Sequence, residues 1–133
     1  MSVLKSVKAG IRSQIEDWLE KNGIKNYTID DNKLTIRVKD VDVNLVGYKE
    51  ESLPDYINFD IITGGSFFCS WSNLKTMRGF PKIVGKIFDI SHSKIESLEH
   101  APETVDKDYA AYGLNFTKEE IQAKTRVTCN IYC

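Results

Sequence analysis

No stretch of the 133-residue chain approaches the roughly 18 consecutive apolar residues of a membrane-spanning helix. The opening MSVLKSVKAGIRSQ carries basic residues but no continuous apolar core and no small-residue cleavage site, so no secretory signal is expected. Charge of one sign is lacking too. Eighteen Lys and Arg stand against 19 Asp and Glu, a net charge of −1 that gives no whole-molecule field to draw in nucleic acid or an anionic membrane. Cysteine is scarce and odd in number. Cys69, Cys129 and Cys133 form no CxxC pair, and the step from 129 to 133 has no histidine cluster near it, a poor zinc pattern. Reduced structural thiols are the expectation, buried as free cysteines usually are. These absences favour one soluble domain over residues 1–133, in the cytoplasm, with no metal and no cofactor.

Catalytic groups are few. Ser91, His92, Ser93 and Asp89 bring serine, histidine and aspartate together, but from one strand whose side chains point in alternate directions. A triad needs an oriented base and an oxyanion hole, usually from distant segments. His100 falls in a turn. Gly64-Gly65 lacks the lysine and threonine of a phosphate loop. No active site is expected.

What the chain does have is pattern. Leu4, Val7, Ile11, Ile15, Trp18 and Leu19 recur at helical steps, with Glu16, Asp17, Glu20 and Lys21 opposite and Gly23 as a stop. Residues 1–23 therefore read as a helical cap. The stripe suits a partner as well as the chain's own core, and packing on the core is the commoner outcome. The period then changes to two. Tyr27 and Ile29, then Leu34, Ile36 and Val38, then Val41, Val43 and Leu45 alternate, with breaks at Asp30-Asp31-Asn32 and Lys39-Asp40. Residues 24–63 read as strands and a degenerate first repeat.

From residue 64 to 133 the chain repeats itself. A step of 21 lays Gly64 on Gly85, Phe67 on Phe88, Cys69 on Ile90, Leu74 on Ile95, Met77 on Leu98, Pro81 on Pro102 and Val84 on Val105. A looser third copy, 106–127, keeps Tyr109, Ala111, Phe116 and Val127 while KEEIQAK inserts a helical turn. A partial fourth places Ile131 and Cys133 in the first two apolar slots. Looking backward, Val43, Leu45 and Leu53 fit Phe67, Cys69 and Met77. Apolar-x-apolar-x-x-Ser/Asn-x-apolar at this period is a leucine-rich-repeat signature. Such units stack with strands in parallel, because none buries its apolar side alone. The expected fold is α+β: an N-terminal helix capping a short leucine-rich-repeat-like solenoid with a parallel sheet.

FFCSWSNLKTMRGFPKIVG and IFDISHSKIESLEHAPETV, with the leading IEDWLEKNGIKNYTI, LTIRVKDVDV and Leu53-Pro54, resemble the short leucine-rich-repeat proteins of tailed bacteriophages. The likeness covers about residues 11 to 133; Ser72 and Ser93 stand where asparagine is usual, and His100 where glycine is. It implies a phage accessory protein acting in the host cytoplasm on a host protein. It carries no common activity.

The repeat register also names a contact surface. Asn44, Phe68, Asp89, Ala110 and Tyr132 form one outward column; Val46, Ser70, Ser91 and Tyr112 a second; Gly47, Trp71, His92 and Gly113 a third. Phe68, Trp71, Asp89, His92, Tyr112 and Tyr132 are the candidate partner-binding residues, since exposed aromatic patches mark interaction sites. Two other readings stay open. The aromatics suit single-stranded nucleic acid, although the basic Lys75, Arg78, Lys82 and Lys86 fall in turns beside the sheet. TCNIYC also suggests an open edge for a homodimer. Cys69 and Cys133, three units apart at roughly 4.8 Å each, would stand about 14 Å from one another, too far for a disulfide.

Overall fold

The structure, a computed structural model, describes residues 3–133, with side chains from Lys5 onward. Helix α1 spans Val3–Lys21. Ile15 and Leu19 are fully enclosed, Trp18 nearly so, and Ile11 packs at the margin. The inward stripe is shorter than the periodicity predicts. Val7 is 51% exposed, and every residue from Lys5 to Gly10 is exposed or half-buried. Leu4's side chain lies outside the described residues. The turns from Ile11 onward cover the end of the core, and Val7 lies beyond it. Gly23 takes φ +70 and its N–H meets Glu20 O, while the Ile24 N–H reaches Leu19 O. This glycine stop satisfies the last carbonyls of the helix.

Strands β1 (Tyr27–Ile29) and β2 (Ile36–Lys39) pair antiparallel. The Asp30 carboxylate accepts the N–H groups of Asn32 and Lys33, which lowers its pKa and closes the turn. Leu34, expected in the strand, instead takes φ +57 within that turn. Asp40 takes the same conformation, making the expected break after Lys39.

From there each coil carries two strands. They are β3 (Val43–Asn44), β4 (Phe59–Thr63), β5 (Phe67–Phe68), β6 (Ile83–Val84), β7 (Phe88–Asp89), β8 (Thr104–Val105), β9 (Tyr109–Ala110), β10 (Arg126–Val127) and β11 (Ile131–Tyr132). The strands form two sheets, ordered β1-β2-β4-β6-β8-β10 and β11-β9-β7-β5-β3, parallel throughout except for β1 on β2. The chain is thus an α+β solenoid with a helical end cap. The sequence predicts one parallel sheet, whereas the segment that returns to the next coil is a strand as well. Ile62, Val84 and Val105 are fully buried, so this side of each coil also presents an apolar residue inward and gains a ladder of its own.

The register is the one the 21-residue step predicts. Phe67 pairs with Phe88, Phe88 with Tyr109, Val43 with Phe67 and Ile131 with Tyr109. Inside, Phe67 and Phe88 stack with centroids 6.0 Å apart, Phe88 meets Tyr109 edge-on at 4.9 Å, and Phe80 wedges against both phenylalanines. Cys69, Ile90 and Ala111 form a second enclosed column, and burial pushes the Cys69 thiol pKa up. The other two cysteines depart from expectation. Cys129 and Cys133 are exposed, because β11 is the outermost strand of its sheet and Cys133 is covered from one side only. The KEEIQAK insertion is helix α2 (Lys118–Lys124), opened by a Thr117/Glu120 capping box and anchored by buried Ile121.

At the other end, the Trp18 indole N–H donates to the Tyr48 hydroxyl at 3.3 Å, and Arg12 reaches Asp31 at 2.6 Å. The cap is therefore tied to the first coil by side chains as well as by packing. Arg78 donates to the carbonyls of Leu53 and Pro54, bracing one coil's turn against the next.

Among the described residues, the Ser72 and Tyr109 hydroxyls are buried without a hydrogen-bond partner. An orphaned buried polar group costs about 1–3 kcal/mol. Tyr109→Phe should therefore raise the unfolding free energy by about 1 kcal/mol, whereas Phe88→Ala should lower it by about 3–5 kcal/mol. Urea denaturation of the two variants checks both signs; a destabilised Tyr109→Phe would mean that the hydroxyl has a partner.

Candidate partner-binding face

Within the strands of the five-stranded sheet side chains alternate, so Phe68, Asp89, Ala110 and Tyr132 face away from the core. Ser91, expected to face outward, is instead buried beside Ile90. The predicted contact residues lie on one face but not in one cluster. Trp71 is 67% exposed and stacks on exposed His92, centroids 4.2 Å apart with planes 18° from parallel. Tyr112 (47% exposed) lies 5.9 Å from Tyr132 (39%) in a second, tilted pair. Among the described residues, no ring contact joins the two pairs. Phe68 is half-buried, and among the described residues no ring contact joins it to either pair. Asp89 is half-buried too, its carboxylate accepting the Ser91 N–H at 2.8 Å, so it shapes the turn rather than presenting a free charge.

The Trp71–His92 pair stands on an unusual backbone. The four equivalent corner positions are Gly47, Trp71, His92 and Gly113, with φ of +74, +56, +56 and +77. Two copies fill this left-handed corner with glycine, which accepts it freely. The other two hold large rings there, at a cost of about 1–2 kcal/mol each. Strain of this kind gathers at binding and catalytic sites. Gly113 has a second role. A Cβ there would stand 2.6 Å from His92 Nδ1, so its bare backbone lets the imidazole lie down over it. Each ring leans over the next coil: His92 over Gly113, and Trp71 over His92. The column of slots is legible in the sequence, but its handedness is not. An alternation of glycine with large residues in one repeat slot is the signal that could have revealed it.

Other candidate chemistry is otherwise engaged. The Ser91 hydroxyl accepts the Tyr112 N–H at 3.0 Å, and His92 lies against Trp71 rather than against Ser91 or Asp89. In the basic stretch, Lys75 sits 3.4 Å from Glu51 and Arg78 is committed to backbone carbonyls. His100 takes φ +65 at the corner where the previous copy has Gly79, beside a groove of about 360 Å³ that also holds Arg78 and Lys82. A second groove of about 360 Å³ runs between the end of α1 and β3, past Trp18, Lys21, Asn22 and Gly47. Among the described residues, no group of three His, Cys, Asp or Glu side chains is placed to hold a metal ion. Nor is any helix among them long and apolar enough to cross a membrane.

No family model, curated protein or solved structure matches the chain.

Removing the indole should cost the fold little. Trp71→Gly loses a ring stack worth about 0.5–1.5 kcal/mol but relieves left-handed strain of about 1–2 kcal/mol. Its unfolding free energy should stay within about 1 kcal/mol of the parent. A loss as large as about 3 kcal/mol in urea denaturation would make Trp71 a structural residue.

Proposed function

We propose that the chain is a non-enzymatic protein-binding module whose contact surface is the outer face of its five-stranded sheet, centred on Trp71, His92, Tyr112 and Tyr132. The observation that carries this reading is the Trp71–His92 stack: two large rings held in left-handed backbone, exposed, where neighbouring coils use glycine. A fold selected for stability alone would keep glycine there, and tryptophan and tyrosine are the residues most enriched among binding hot spots. The repeat pattern resembling short leucine-rich-repeat phage proteins supports placing the module in a tailed bacteriophage. There it would act in the host cytoplasm by occupying the surface of a host protein.

Single-stranded nucleic acid is the less favoured ligand. Its phosphates need free cations near the rings. Of the basic stretch, Lys75 and Arg78 are engaged elsewhere, and Lys82 and Lys86 flank β6 in the other sheet. Self-association through β11 is favoured by one observation, the exposure of Tyr132 and Cys133 on the outermost strand. A solution mass equal to twice the chain's 15.2 kDa would support it, and a monomer mass would remove it.

Capture from host lysate tests the main reading. Wild type should retain a defined host protein that Trp71→Ala and Tyr112→Ala each lose by about tenfold or more, as truncated hot spots do. Equal recovery by all three proteins would rule out this face as the contact surface.

A further inference from the structure

The two sheets do not end alike at the helical cap. The six-stranded sheet finishes with β1, laid antiparallel on β2; the five-stranded sheet stops at β3 with no counterpart. In every later coil, the carbonyls of this sheet accept N–H groups from the coil before. Phe68 O accepts from Leu45, Ser70 O from Gly47, Asp89 O from Cys69 and Ser91 O from Trp71. The equivalent carbonyls of β3 and its extension belong to Asn44 and Val46, and no strand among the described residues lies on their other side. The Val46 N–H already donates to Asn44 Oδ1 at 3.0 Å, so what this edge offers an added strand is its carbonyl acceptors. The groove between β3 and the end of α1 runs directly along it.

The aromatic column is open at the same place. Each ring leans over the next coil, so a side chain at position 47 would lie against Trp71. That position is glycine, and a Cβ built there meets nothing within 4 Å, whereas the same construction at Gly113 runs into the His92 ring. His92 covers one face of the Trp71 indole, and the ring is otherwise exposed to solvent; Gly47, in the same column one coil earlier, lines the groove. The groove's charges are mixed, with Lys21 and Lys49 against Glu50, and so select no charged side chain.

We propose that the groove beside β3 receives an extended polypeptide segment of the partner, which pairs with Asn44 and Val46 and seats one aromatic side chain over Gly47 against the open face of Trp71. This rests on the protein-binding reading above and deepens it by naming what the partner presents. Backbone pairing supplies affinity in such strand addition, and the pocket for one alternate side chain supplies selectivity.

The experiment is a selection of displayed random peptides, about twelve residues long so as to span an ordinary strand, against the intact chain. Enriched peptides should share one aromatic residue and no common charge. They should bind Gly47→Trp at least about tenfold more weakly, since an indole from the protein itself then fills the slot; Trp71 already shows that tryptophan fits this corner. Gly47→Asn, a residue that tolerates left-handed backbone, serves if the larger change disturbs folding. N-methylation of alternate peptide amides needs no protein variant: one alternating set should abolish binding and the other leave it intact. Failure to enrich any peptide, undiminished binding to both Gly47 variants, or indifference to both methylation sets would overturn the proposal. Peptides that depend on Tyr112 and Tyr132 but not on Gly47 would overturn the slot while leaving the aromatic face as the contact surface.

Discussion

Everything in this molecule depends on Phe67, Phe88 and Tyr109 standing one above another in parallel register. No single coil could keep any of these rings from water. Each is enclosed only because the coils before and after it bring their own, so the interior is a property of the stack and not of the unit. The same stacking fixes the two sheets and the hydrogen-bonded ladders that tie each coil to the next. It also dictates that the first coil must find something else to lie against, which is the office of α1 through Ile15, Trp18 and Leu19.

Legibility in the sequence follows how a residue's role is encoded. Phe67 and Phe88, Cys69 and Ile90, and Val84 and Val105 are recognisable as equivalents because a core slot demands a class of side chain, and class is written in the letters. The helical turn at KEEIQAK is legible too, though the repeat pattern does not disclose its Thr117/Glu120 capping box. The second sheet is not. Ile83-Val84 and Thr104-Val105 follow a proline and are only two residues long, too short for alternation to declare a strand. What makes them strands is the ladder between coils, a partner about 21 residues away. Val7 misleads in the opposite sense: its spacing is right for the helix, but the core ends before reaching it.

The binding face shows the same division. Tyr112 and Tyr132 point outward by alternation, one step after the inward slots of Ala111 and Ile131. Trp71 and His92 share the parity of buried Cys69 and Ile90 and are turned out by their left-handed corner. How they group does not follow. Trp71 and His92 pair because both occupy a left-handed corner, and Phe68 and Asp89 drop out because one is half-covered and the other shapes a turn. Backbone handedness is hidden from a side-chain pattern except where glycine betrays it, as it does at positions 47 and 113.

The constant step of the solenoid has one more consequence. Because consecutive coils are alike in their interior contacts, a coil gained between His92 and Tyr112 would find the same kind of neighbours on both sides. It would move the two aromatic pairs apart by one strand spacing, about 4.8 Å. The reach of the surface is thus extensible in whole coils, a ruler with fixed graduations that duplication of a short gene segment can lengthen without redesigning the core.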